Sequence, residues 1–441
     1  MKKYLVFSVA ALGAAVIAGA GRVAAMTRQE MIDRSMTRYD GPTAKGVDPT
    51  TMDGKVMCGY QGWFACPGDG SDWGWHHWGR GSAFEPGRCT VDFWPDMSEY
   101  EADEKFATAF RHADGSTAHV FSPMNPKTVV RHFKWMADYG IDGAFVQRFA
   151  VETTGVSAPY HRNIVLANCR EGANRHGRAY AVMYDLSGLR AGGTAQVIED
   201  WKLLVDKMGI GRDAKDAAYL HHKGKPVVAV WGIGFSDGRA YTVEECLRLV
   251  EFLKDDPVYG GFTVMVGVPT YWRSLQRDCV NDPMVHEVVQ KADIVSPWMV
   301  GRFGRPEDAA RIGRDVWAKD AAWCALRGKD YLPVVWPGFS WSNLQRRPAD
   351  FDQIPRLGGR FLWAQYLAAK EAGARMIYQA MFDEVDEGTA IFKCTNDVPV
   401  GESRFVTYEG LPSDHYLWLT GQGGRLIRGE IKATDALPER K

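Results

Sequence analysis

Residues 179–185 read AYAVMYD, with no charge before Asp185 and no alternation of apolar with polar positions. A strand with one wet face alternates. A continuous run belongs to a strand buried on both faces, as in a parallel sheet covered by helices. Seven other runs read the same way: 55–60 (KVMCGY), 143–149 (GAFVQRF), 226–232 (PVVAVWG), 262–268 (FTVMVGV), 294–299 (IVSPWM), 331–336 (YLPVVW) and 375–381 (RMIYQAM). Amphipathic segments lie between them. A helix over 126–139 has Asn125 as N-cap, Pro126 at its first position and Gly140 after its end. Over 194–208, Val197, Ile198, Trp201, Leu204, Val205 and Met208 share one stripe, and Gly209 follows. Thr242 and Glu245 have capping-box spacing. Further helical runs cover about 160–176, 283–291, 306–325 and 358–373. Strand and helix alternating eight times specify an α/β fold, the (β/α)8 TIM barrel. An open doubly wound sheet is the alternative, but no Gly-rich dinucleotide fingerprint follows the first strand. Residues 119–121 (HVF) are a candidate ninth strand.

The length beyond a minimal barrel lies mainly in residues 61–118, a long loop after the first strand. Loops at the C-terminal ends of barrel strands build the active face, so this insertion is expected to shape the site. Of the 441 residues, 46% are apolar and 24% charged, which excludes a disordered chain. A net charge of −1 gives no pull toward nucleic acid or anionic membranes, and suits an uncharged ligand. Residues 1–25 read as a signal peptide: Lys2 and Lys3, an apolar run from Tyr4 to Gly21, and small-residue cleavage sites at 18–20 and 23–25. Cleavage leaves residues 26–441 as a single exported domain, periplasmic or extracellular and free of the membrane; an uncleaved anchor is the alternative. Export permits disulfides. Cys58, Cys169, Cys246 and Cys324 lie in strand or helix patterns and read as core, whereas a Cys66–Cys89 bridge would staple the long loop.

The chemistry concentrates in Met381-Phe382-Asp383-Glu384-Val385-Asp386-Glu387-Gly388-Thr389, four carboxylates directly after the last strand. Glu384 and Glu387 are three apart, so a helical turn points both one way. Close carboxylates repel when both are ionised, which raises one pKa. One protonated and one ionised acid is what glycosidic cleavage requires. Clustered oxygens also suit calcium, although the spacing is not that of an EF-hand.

Glu384-Val385-Asp386-Glu387-Gly388-Thr389 is similar to the E-W-H-E-G-T segment of glycoside hydrolase family 99, endo-acting α-mannosidases and α-mannanases on a (β/α)8 barrel. It also resembles the D-x-G-E segment of the family 71 α-1,3-glucanases. Gly59-Tyr60-Gln61-Gly62-Trp63-Phe64 is similar to a Y-Y-x-W-Y element at the first strand. Gly140-Ile141-Asp142-Gly143 and Gly224-Lys225-Pro226-Val227-Val228 also fit, so the resemblance spans residues 50–420. It implies that Glu384 deprotonates the sugar 2-hydroxyl to form an anhydro-sugar, and that Glu387 is the general acid/base at the leaving oxygen. That is retaining chemistry without a carboxylate nucleophile. The family Trp-His pair is replaced by Val385-Asp386, and Asp383 and Asp386 add charge.

Sixteen Trp are the compositional excess. Trp73-Gly74-Trp75-His76-His77-Trp78, with Trp63 and Trp94, gathers five of them in or beside the long loop. Such rings suit apolar sugar faces, or else anchor the loop. Strand ends add Gln147, Arg148, Tyr184, Asp185, Trp231, Tyr271, Trp272, Trp298, Trp336 and Trp341. The candidate substrate contacts are therefore Tyr60, Trp63, Trp75, His77, Trp78, Arg148, Tyr184, Asp185, Trp231, Trp298, Trp336, Asp383 and Asp386. Arg148 is expected near the acid cluster, and Asp185 is expected to bind sugar hydroxyls or pair with Arg148. No H-x-H, H-E-x-x-H, G-x-S-x-G or P-loop pattern occurs, so no metal ligand is assigned and no cofactor is expected. The expectation is an exported glycosidase cleaving α-linked glycans or polysaccharides. The alternatives are a non-catalytic glycan-binding barrel and a calcium- or metal-dependent hydrolase using the same acids.

Overall fold

The computed structural model describes residue 23 and residues 25–440. The signal peptide expected over 1–25 lies, apart from Val23 and Ala25, outside them. Eight parallel strands close into a barrel. The first, Val56–Tyr60, pairs with both the second, Gly143–Phe149, and the eighth, Ile377–Gln379. The third, Ala179–Asp185, the fourth, Lys225–Trp231, the fifth, Thr263–Val268, and the sixth, Ile294–Pro297, follow in order. The seventh is in two pieces: Asp330–Tyr331 pairs with the sixth strand, and Val334–Val335 with the eighth. Pro333 stands at the break, because it has no N–H to give the ladder. Its carbonyl still accepts from Tyr378 N at 3.0 Å. Every residue of the first, fifth and eighth strands is buried, as the continuous apolar runs require.

The helices hold as read, with local adjustments. Asn125 accepts from Lys127 N, and Thr242 forms its capping box with Glu245. The helix expected at 160–176 begins at Ser157, and those over 194–208 and 306–325 each contain a π-turn, at Leu204–Met208 and Gly313–Trp317. A helix not anticipated, His415–Arg428, follows the eighth strand and completes the last unit of the barrel. The candidate strand at 119–121 belongs to Thr117–Val120, which pairs with Phe106–Arg111 in a hairpin outside the barrel. That hairpin lies in the insertion, which is sealed by aromatic contacts: Phe64 with Trp78 at 4.3 Å, and Phe84 with Trp94 at 5.6 Å between ring centres. The Cys66–Cys89 bridge is not formed. Cys66 Sγ donates to Phe121 O and Cys89 Sγ to Val91 O, and all eight cysteines are free and buried. None of the described helices is long and apolar enough to cross a membrane.

Two glycines make room for the mouth of the barrel. A Cβ on Gly59 would lie 2.2 Å from both Tyr378 Oη and Met381 Cε. A Cβ on Gly267 would lie 2.3 Å from the Trp231 ring. Both are close approaches that only glycine permits.

Candidate active site

The acid loop leaves the eighth strand through a cis Ala380–Met381 peptide and runs beneath the insertion. Asp92 N and Phe93 N both donate to Val385 O, so the two loops are joined by backbone bonds. Asp383 makes the tightest link. One carboxylate oxygen accepts from Gln61 N at 2.7 Å and the other from Gly62 N at 2.8 Å. It is a clamp between the first and last strands, not a contact for substrate. Burial nevertheless pushes its carboxyl up to about 7, with the two backbone bonds opposing.

Glu384 is almost fully buried, and both its oxygens are occupied. Gln61 Nε2 donates to one and Thr389 Oγ1 to the other. Glu387 is half-buried, and among the described residues its carboxylate has no hydrogen-bond partner. Burial raises both pKa values; Glu387 and Asp386 add to the rise of Glu384, and Asp386 and Asp185 to that of Glu387, which moves to about 8. The two donors on Glu384 stabilise its ionised form, and nothing equivalent acts on Glu387. The geometry thus sets the two apart: Glu384 is held by two donors, and Glu387 is open to the cleft.

Both glutamates line a cleft of about 460 Å³ at the C-terminal ends of the strands. Trp63, Asp185, Trp231 and Trp298 line it too, as expected from the sequence. Trp63 stacks on Phe149 at 5.1 Å on one wall. Trp231 meets Phe235 at 4.8 Å and Trp298 edge-on at 5.4 Å on another. Asp185 caps its own loop by accepting from Ser187 N at 2.7 Å, and burial raises its carboxyl. Gln61, Gln147, Phe149, Met183, Phe235, Asp237, Arg239 and Trp341 complete much of the lining. Arg239 is neutralised by Asp237 through two bonds, at 2.9 and 3.0 Å.

Several expected contacts lie elsewhere. Tyr60 is sealed between the first strand and the helix at 126–138, with its hydroxyl 2.9 Å from His132 Nδ1. Arg148 does not approach the acid cluster. It pairs with Asp200 at 2.5 Å, and Tyr184 Oη donates to the same carboxylate. The pairing considered between Arg148 and Asp185 is thus replaced by one to the helix layer. Trp336 is buried against Phe303 and Phe361. Trp78 is fully buried, its indole N–H donating to Phe121 O at 3.2 Å, and Trp75 packs on Phe84. His77 stands behind the cleft wall, stacked on Trp63 at 3.9 Å, with Nδ1 3.0 Å from Asp386 Oδ2. Asp386 is 1% exposed, and burial moves its carboxyl up to about 8. The four acids thus turn to four different surroundings. Among the described residues no three His, Cys, Asp or Glu side chains gather as a cation site would require.

A closed parallel barrel with its acids collected at the C-terminal mouth has the layout of a barrel enzyme. No family model and no curated protein matches the chain. Solved structures do. The family 99 endo-α-mannosidase of Bacteroides thetaiotaomicron aligns with a TM-score of 0.61 at 16% identity, over 86% of this chain and 99% of that one. The same enzyme in complex with bis-tris propane gives 0.60 at 16%, over the same shares. A structure described as a glycoside hydrolase-like protein gives 0.51 at 13%, over 89% and 98%. The chain therefore has a family-99-like (β/α)8 fold.

Proposed function

We propose that this protein is an exported glycoside hydrolase that cuts α-linked glycans by a retaining route, with Glu384 and Glu387 as its catalytic pair. The observation that carries the reading is the placement of the two glutamates together in a Trp-lined cleft at the active face of the barrel. The family-99-like fold and the E-x-x-E-G-T spelling point the same way. The N-terminal apolar run behind Lys2 and Lys3 supports export.

In this reading Glu384 acts in its ionised form, which Gln61 and Thr389 stabilise, and takes the proton of the sugar 2-hydroxyl. The freed oxygen attacks C1 while the bond to the leaving oxygen breaks, and Glu387 gives that oxygen its proton. Water then opens the anhydro-sugar at C1, with Glu387 taking the water proton and Glu384 returning its own to the 2-oxygen. Two inversions at C1 give net retention. Backside attack needs the 2-oxygen trans to the leaving group. α-Mannosides meet that condition and α-glucosides do not, so an α-mannan or α-mannoside is the favoured substrate. Trp231 and Trp298 supply flat faces for the sugar rings, Trp63 an edge of the wall, and Asp185 a partner for hydroxyls. The scheme calls for no cofactor.

The test is hydrolysis of α-mannan, xylan, arabinan, α-glucan and their oligosaccharides with product analysis. Wild type is compared with Glu384→Gln and Glu387→Gln. The expected result is release of mannose-containing products by wild type, and loss of about a thousandfold or more in each folded variant. Full activity in either variant overturns the catalytic assignment. Binding without turnover on every glycan makes the protein a glycan-binding barrel. Activity abolished by chelation and restored by calcium moves the chemistry to a metal.

A further inference from the structure

Besides the backbone bonds from Asp92 and Phe93 to Val385, the acid loop and the insertion meet through a pair of ionisable side chains. His77 Nδ1 lies 3.0 Å from Asp386 Oδ2, and the other Asp386 oxygen has no partner. The His77 ring lies flat on Trp63, 3.9 Å between centres and 3° from parallel. Trp63 is a wall of the cleft, and Asp386 is the residue before Glu387. A continuous path of contacts thus runs from the Trp63 wall to the acid. It uses His77 from the insertion and Asp386 from the position where the family motif has its histidine.

We propose that His77 and Asp386 form a positioning pair that sets the protonation of Glu387 and couples it to the Trp63 wall. The proposal rests on the reading of Glu387 as the leaving-group acid. The reasoning is electrostatic. Asp386 is shielded from water and adjacent to Glu387, so the two do not both ionise readily and they titrate together. Burial, assisted by Arg162, keeps His77 neutral, moving it down to about 3. It therefore meets Asp386 through one shared proton rather than as an ion pair, and Glu387 beside Asp386 stays protonated to mildly alkaline pH.

Other charged groups face the pair from every side. Asp92 lies on the insertion, its carboxylate held by Ser340 Oγ, Ser342 N and Asn343 N. His76 and Glu152 flank His77, and Glu152 is bound to Arg162 on the neighbouring helix. Asp185 faces Glu387 from the third strand, and Glu384 from the acid loop itself. Arg356, under the loop, donates to Gly388 O and Ala390 O. Asp386 differs from all of these in being next to Glu387 in the chain and bonded through His77 to the Trp63 wall.

The test is the pH profile of kcat/KM in wild type, Asp386→Asn, His77→Phe and the double variant. His77→Phe keeps a ring on Trp63 and removes the hydrogen bond. The pair predicts that Asp386→Asn moves the basic limb down by about one pH unit. It predicts that His77→Phe lowers kcat with KM nearly unchanged, and that the double variant shifts no further than Asp386→Asn alone. A basic limb that stays in place in Asp386→Asn, or strictly additive effects, overturns the pairing and leaves the contact structural. The Glu387 carboxyl titration, followed by carbon-13 NMR and assigned with Glu387→Gln, gives the same reading without substrate. An inactive wild type in which Asp386→Asn still lowers that titration removes the proposed function and keeps the pair.

Discussion

Gln61 ties three parts of the site together. Its backbone N–H goes to Asp383, its side-chain nitrogen to Glu384, and its carbonyl accepts from Arg162 Nη1 at 3.2 Å. Gln61→Leu removes the donor that favours ionised Glu384 and leaves the backbone clamp intact. The expected outcome is a fall in kcat of about a hundredfold with unchanged circular dichroism, checked by steady-state kinetics. Asp383→Asn acts on the clamp itself, because its NH2 must face one of the two N–H donors. It should destabilise the fold by about 1–3 kcal/mol in denaturant titration. The residue scale also explains what the sequence hid. Strand side chains alternate between the barrel interior and the helix layer. Gly59 and Gln61, Gln147 and Phe149, and Met183 and Asp185 face inward. Tyr60, Arg148 and Tyr184, one residue out of step, face the helices. A continuous apolar strand carries no mark of which parity is inside, so polarity at the strand end favoured Arg148 and Tyr184 over Gln147 and Met183.

At the scale of elements, the eight runs were legible because a two-face-buried strand has an unmistakable composition. The acid loop was legible because four carboxylates within five residues stand out directly after such a strand. The insertion was legible in place but not in detail. Its Trp read alike in sequence, and only packing separates Trp63, on the cleft, from Trp78, sealed beneath it. Arg239 reaches the cleft from a loop with no motif to announce it. Gly59 offers a direct test of how closely the first and eighth strands must meet. Gly59→Val places methyl groups where Tyr378 Oη and Met381 Cε already lie. Overpacking of this kind costs about 1–3 kcal/mol or more, so thermal unfolding should show a lowered midpoint and a weakened activity together.

For the whole molecule, the buried acids make stability depend on pH in a defined direction. Asp383, Asp386 and Glu387 have folded-state pKa values raised to about 7, 8 and 8. A carboxyl raised on folding contributes stability that is complete below its unfolded pKa of about 4 and is lost as pH rises through the folded value. The melting temperature should therefore fall between about pH 4 and pH 8, and Asp386→Asn should flatten that slope, as differential scanning calorimetry would record. The clamp at the barrel seam bears on how the protein comes into being. Asp383 and Gln61 are 322 residues apart in the chain. Until the last strand has been made and has found the first, the glutamates have no cleft to face. A nascent or truncated chain therefore lacks the cleft altogether, and the site comes into being only when the ring closes.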